Sequence, residues 1–260
     1  MAPLKRVILG LASSAAALVA GCAVQFSASD EYAERFAPGD ATFVVFEGVE
    51  GDVVARGMEI ADVQVNGTRS AVGATRREAR RRLGGIGLDA SREAGALVLS
   101  FNPKLEDEGL VDLTLDRVST LPSVMGIGVD LEFGDVELSD IGGAMDIQTG
   151  AGDIEIEDST EDAAVDATTD EGYIAYALTS WDELLFPFRI ECVVGEDGEV
   201  LLDSDLEALV DSSDVQRTEA NGAVVISFHA DDSATKRVRL TANGGNISLV
   251  LSNDIEPLIP

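Results

Sequence analysis

The sequence predicts an all-β protein: a single-chain β-solenoid, β-helix-like, with one short basic helix and an N-terminal lipoprotein signal peptide. Three observations lead there. Short runs alternate Ile, Val or Leu with Asp, Glu or Thr, which puts aliphatics on one face and acids on the other. These runs recur, joined by small Gly-containing turns. Aromatics make up only 5% of the 260 residues, so the core must rest on aliphatic side chains that suit thin, layered packing.

Residues 1–21 read as an export signal. Lys5 and Arg6 give a positive start, and Val7 through Ala20 is apolar, uncharged and short for a membrane span. Leu18-Val19-Ala20-Gly21-Cys22 resembles the bacterial lipobox. That resemblance implies a lipobox of Val19, Ala20 and Gly21, cleavage before Cys22 and lipid on its sulfur. It further implies a membrane as partner through that lipid. Ala23, in place of an aspartate, implies the outer membrane rather than the inner. Residues 22–40 then read as the lipidated cysteine and a polar tether, and residues 41–260 as the folded domain.

Within the domain, Ala41–Phe46 opens the strands, and Met58–Val65 followed by Asn66-Gly67 reads as a strand and a turn. Ala74–Leu83 is the best helix outside the signal, with good helix formers running into Gly84-Gly85. Its arginines suit either a patch that binds anions or lipid headgroups or a solvated face paired with the acidic body.

From about Val111 a repeat emerges. Val129–Leu138, Met145–Ile156 and Val165–Tyr176 are successive copies, and Ile190–Leu202 is looser. Val215–Ile226, through Asn221-Gly222, is degenerate, and Val238–Leu249 is a clear sixth copy. Asp130, Asp146 and Asp166 serve as equivalent positions. A unit of this size cannot bury its inward residues alone, so copies must stack on one another. Trp181–Phe188 and Asp203–Asp214 read as insertions, the second with helical potential.

The turns Gly134-Asp135-Val136-Glu137-Leu138, Gly152-Asp153-Ile154-Glu155-Ile156 and Gly245-Asn246-Ile247-Ser248-Leu249 resemble a bacterial family of proposed adhesins of unknown function. Its members carry repeated Gly-Asp-Ile/Val-x-Ile/Leu turns. The resemblance covers roughly residues 41–252. It implies a β-solenoid fold and a surface location, and it transfers no catalytic residue.

Charge and composition narrow the function. The formal net charge is -30, which repels phosphate and so disfavours nucleic acid as a partner. It favours a cationic or cation-bridged surface or matrix partner. One histidine, His229, cannot anchor a triad without a nucleophile elbow, and none is present. Cys192 sits in a strand-like run and reads as a buried structural thiol. No catalytic residues and no cofactor are expected. Weak Ca2+ binding is the one metal chemistry suggested, at Asp135, Asp153, Asp158, Glu161 and Asp162, with Glu171 near a further corner. The expected function is a non-catalytic, surface-anchored binding or display module of the cell envelope. The alternative is a glycosidase or lyase on the same scaffold, which would need acids lining one cleft.

Overall fold

The computed structural model describes residues 26–103, 113–157, 163–178, 188–210, 215–220, 223–228 and 236–251. The first strands are β1 (Phe26–Phe36), β2 (Phe43–Glu50), β3 (Val53–Met58) and β4 (Val63–Gly73), followed by α1 (Arg76–Leu83). Next come β5 (Ile86–Glu93), β6 (Ala96–Pro103) and β7 (Leu113–Pro122). The repeated region holds β8 (Gly126–Phe133), β9 (Val136–Ser139), β10 (Met145–Ala151), β11 (Ile154–Glu157), β12 (Val165–Glu171) and β13 (Ile174–Leu178). The last part holds β14 (Phe188–Val194), β15 (Val200–Leu202), α2 (Ser204–Val210), β16 (Val215–Ala220), β17 (Ala223–Phe228), β18 (Lys236–Ala242) and β19 (Ile247–Leu251).

These strands form two sheets. One has nine strands in the order β1-β4-β7-β3-β9-β11-β13-β19-β15, and the other has ten in the order β16-β17-β14-β18-β12-β10-β8-β2-β6-β5. The all-β expectation therefore describes the chain, but the β-solenoid does not. A solenoid needs uniform parallel coils laid down in chain order. β18 and β19 instead take the places beside β12 and β13, ahead of β14 and β15. Both sheets are also mixed. β1, β4 and β7 pair antiparallel at one end, as do β5 with β6. β14, β17 and β16 do so at the other, so the strands of the degenerate fifth copy form an antiparallel edge pair.

Two local expectations are corrected as well. Residues 26–36, expected within the tether, are strand β1, paired with β4 along its whole length. Phe26, Ala28, Tyr32 and Phe36 are half-buried on one face of β1, a face that Asp30 and Glu34 share as exposed residues. Asn66-Gly67 is not a turn, because β4 runs through it with β1 on one side and β7 on the other. Antiparallel partners on both flanks leave no room for a reversal there.

The centre is regular. β8, β10 and β12 pair in parallel in one sheet, and β9, β11 and β13 do so in the other. The register sets Asp146 beside Asp166 but beside Gly128, not Asp130, because β8 begins further back. Inward positions alternate strictly: Met145, Ile147 and Thr149 are buried on β10, and Ile154 and Ile156 on β11. They join Ile127, Val129, Leu138, Ile174 and Tyr176 in one continuous core between the sheets. Thr149 and Thr169 are buried without penalty, because each hydroxyl donates to a neighbouring corner carbonyl, Gly134 O at 3.1 Å and Gly152 O at 2.8 Å.

Each end of the sandwich is closed by a helix. α1 packs on β1 and β4 and buries Ala79 and Leu83, with Leu83 joining Ala71 and Ile86 in a small second core. Its N-cap is Thr75, whose Oγ1 accepts from Glu78 N at 3.1 Å, while the Glu78 carboxylate accepts from Ala74 N at 3.0 Å. α2, within the stretch expected to have helical potential, contacts β16 and β19 and buries Leu206. Asp203 caps it, one oxygen accepting from Leu206 N at 2.7 Å and the other from Leu251 N at 2.6 Å.

Candidate functional site

The corners between the sheets build the site. Gly51, Gly134, Gly152 and Gly172 each have positive φ, from 127° to 153°, a region that L side chains rarely adopt. They also stack: a Cβ on Gly152 would lie 2.0 Å from Gly134 O, and one on Gly172 would lie 2.1 Å from Gly152 O. Glycine is thus required by backbone conformation and by the rung below at once.

The residue after each glycine ties one rung to the next. Asp135 N donates to Asp52 Oδ1 at 3.1 Å, Asp153 N to Asp135 Oδ1 at 2.9 Å, and Tyr173 N to Asp153 Oδ1 at 2.9 Å. These are charge-assisted bonds to backbone amides, and they fix the row of carboxylates. Two residues along, Glu137 and Glu155 lie side by side on parallel strands. The Tyr173 hydroxyl donates to Glu155 Oε1 at 2.7 Å. That bond, reinforced by partial burial and the nearby charges of Glu155, Asp153 and Asp135, pushes the Tyr173 phenol up to about 12.

The result is a groove of about 250 Å³ lined by five carboxylates, Asp52, Asp135, Glu137, Asp153 and Glu155, with Val54, Val136 and Tyr173. No cation lines it among the described residues. One oxygen of each ladder aspartate accepts from the amide of the next rung. This arrangement can receive cationic groups along a row.

Among the described residues, no three His, Cys, Asp or Glu side chains converge to hold a metal ion. Asp135 and Asp153, two of the expected calcium candidates, stand in the ladder one above the other. Glu171 is exposed at the end of β12. Asp158, Glu161 and Asp162 lie outside the described residues, as do Cys22, Val19, Ala20, Gly21 and His229. Cys192 is buried in β14 between Leu240 and Val224, and desolvation pushes its thiol up to about 12, so it is protonated at neutral pH. No described helix is long and apolar enough to cross a membrane.

Sequence reasoning missed Asp52 and Tyr173. Asp52 was readable, since Gly51-Asp52-Val53 is the same Gly-Asp-Val turn that marks Gly134-Asp135-Val136. Tyr173 breaks the pattern at the aspartate position, and nothing local to it announces that its hydroxyl reaches the neighbouring rung.

No protein-family model matches the chain, and no curated protein does. Solved structures resemble it. One is a proposed cell adhesion protein from Clostridium sporogenes ATCC 15579, with a TM-score of 0.59 at 13% identity, covering 86% of this chain and 100% of that one. A proposed adhesin from Bacteroides fragilis NCTC 9343 is more distant, with a TM-score of 0.32 at 10% identity over 85% of this chain and 97% of that one. At such identities a likeness speaks to architecture. This chain shares its fold with the Clostridium protein.

Proposed function

We propose that this chain is a non-catalytic, adhesin-like module of the cell envelope, exported and held to a membrane by lipid on Cys22, that offers its acidic groove to a cationic or cation-bridged partner. The observation that carries the reading is the groove's five carboxylates in two rows, Asp52, Asp135 and Asp153 in one and Glu137 and Glu155 in register in the other. Like charges directly opposite one another on neighbouring strands are destabilising. Glu137 and Glu155 are so placed, and a basic or cation-bridged ligand would relieve their repulsion. The rows repeat one rung and assemble no singular constellation of acid, base and nucleophile, which suits display better than turnover.

Two experiments test the proposal. The purified chain is assayed on bacterial cells and on a polysaccharide panel, with and without calcium. Retention without turnover is expected, weakening as salt rises. Glu137→Lys with Glu155→Lys should lower retention at least about tenfold, corresponding to about 1.4 kcal/mol. Turnover abolished by one carboxylate substitution would overturn the reading and promote the glycosidase or lyase alternative. For the anchor, a palmitate analogue should label the wild type in cells. Equal labelling of Cys22→Ala would sink that part.

A further inference from the structure

We propose that the outward face of α1 rests on anionic phospholipid headgroups and sets how the body stands on its membrane, an inference that rests on reading Cys22 as the lipid anchor. The geometry begins at the first described strand. Phe26 pairs with Gly73, at the end of β4, and the Arg76 guanidinium carbon lies 5.8 Å from the centre of the Phe26 ring. The chain therefore enters the fold beside α1. Cys22 is four residues upstream, a reach of at most about 14 Å when fully extended. A bilayer holding a lipid on Cys22 is thereby kept close to this end of the molecule.

That end presents a dense basic face. Arg76, Arg77, Arg80 and Arg81 are exposed, because Ala79 and Leu83 take the inward face of the helix. Arginines three and four apart on a helix repel one another. Neighbouring cations are committed elsewhere: Arg82 to Glu78 and the Val72 carbonyl, Arg69 to Asp30 and the Ile86 carbonyl, and Arg92 to the Ala37 carbonyl. Arg77 and Arg80, among the described residues, have no ion-pair partner. In a chain of net charge -30, an outward patch of this sign at the point of attachment is matched by an anionic surface.

The far end is mixed in charge: exposed Arg189, Arg217, Arg237 and Arg239 lie on β14, β16 and β18, with Glu191 beside Arg239. α2, packed on β16 and β19, carries Asp205 and Glu207 in its first turn and has no basic residue in its last. An anionic bilayer attracts the α1 face and repels the acidic groove. The anchored body would then stand with α1 down and its acidic groove away from the membrane.

The test uses the full chain, produced in a bacterium that processes lipoproteins and reconstituted into vesicles. One set is phosphatidylcholine alone and the other includes phosphatidylglycerol. Arginine modification by phenylglyoxal is followed by mass spectrometry at each site. Modification of Arg77 and Arg80 should slow at least about fivefold on the anionic vesicles, the equivalent of one basic residue at a charged surface, and recover in high salt. Exposed Arg189, on β14, should react alike on both. In Arg77→Gln with Arg80→Gln, the slowing at Arg76 and Arg81 should shrink. Equal rates on both vesicles in palmitate-labelled protein would overturn the headgroup contact while leaving the anchor standing. Slowing on anionic vesicles with chain that takes no palmitate would support the basic face and remove the anchor instead.

Discussion

The rungs β8/β9, β10/β11 and β12/β13 and the flank of β1, β4, β7 and α1 bury their residues by different means. In the centre, every second side chain is buried: the pattern on β11 is Ile154 and Ile156 in, Glu155 and Glu157 partly out. Each rung repeats its neighbour, and one glycine column serves all of them. On the flank, β1 has no fully buried residue, and its long antiparallel ladder is supplemented by side chains that bridge elements. Arg69 pairs with Asp30, which holds that carboxyl below its usual range and raises the guanidinium. The centre is thus specified by a repeated local rule, and the flank by particular long-range partners.

The largest expected effect breaks the centre. Ile154 is fully buried between Val136 and Ile174 on the neighbouring strands. Ile154→Asp would strand a carboxylate in that core, at a cost of about 5 kcal/mol or more. Ala33→Asp on β1, an exposed position, should stay within about 0.5 kcal/mol. Chemical denaturation of both variants decides it. Similar midpoints would mean that the two regions are not stabilised as differently as their burial implies.

The second effect sharpens the glycine argument. Gly152→Ala adds a Cβ 2.0 Å from the Gly134 carbonyl oxygen at a φ of 153°. The neighbouring rung is backbone and cannot step aside, so a loss of about 3–5 kcal/mol is expected. Gly95, in the turn between β5 and β6, has a φ of 85° but nothing within 4 Å of its added Cβ. Gly95→Ala should cost only the conformational strain, about 1–2 kcal/mol. Thermal melts that rank the two the other way would show that stacking is not what fixes the corner glycines.

This contrast also explains what was legible in the sequence. Gly134-Asp135 and Gly152-Asp153 could be read as corners, because the glycine requirement and the alternation that follows are both local. The strand at Phe26–Phe36 was not legible, because its partner β4 lies some forty residues on and its own residues are mostly polar. The same reason hid the run of β4 through Asn66-Gly67, where two antiparallel neighbours outweigh a favourable turn pair. The insertion of β18 and β19 beside β12 and β13 was equally hidden. All copies present the same aliphatic face, so alternation does not say which copy stacks on which. In the groove, Asp135 and Asp153 were legible as corner acids, but their role was not. They are ladder acceptors for the next amide, and only the register shows that.

The smallest effect probes the place where the ladder changes residue type. Tyr173 replaces the aspartate of the two preceding rungs, and its hydroxyl donates to Glu155 at 2.7 Å. The residue is 40% exposed, so solvent weakens this bond, and Tyr173→Phe should cost less than about 1 kcal/mol at neutral pH. The pH dependence is more telling. In the unfolded chain the phenol titrates near its ordinary value of 10, whereas in the fold it does so at about 12. Between those values the folded state binds more protons than the unfolded one, so stability falls as pH rises. The contribution is therefore complete below about pH 10 and is lost on passing through 12. Melting temperatures of wild type and Tyr173→Phe should run close together up to that window, with the wild type falling more steeply within it. Parallel curves throughout would mean that the Tyr173–Glu155 contact does not hold the phenol's proton, and that the acidic groove ends on a free ring.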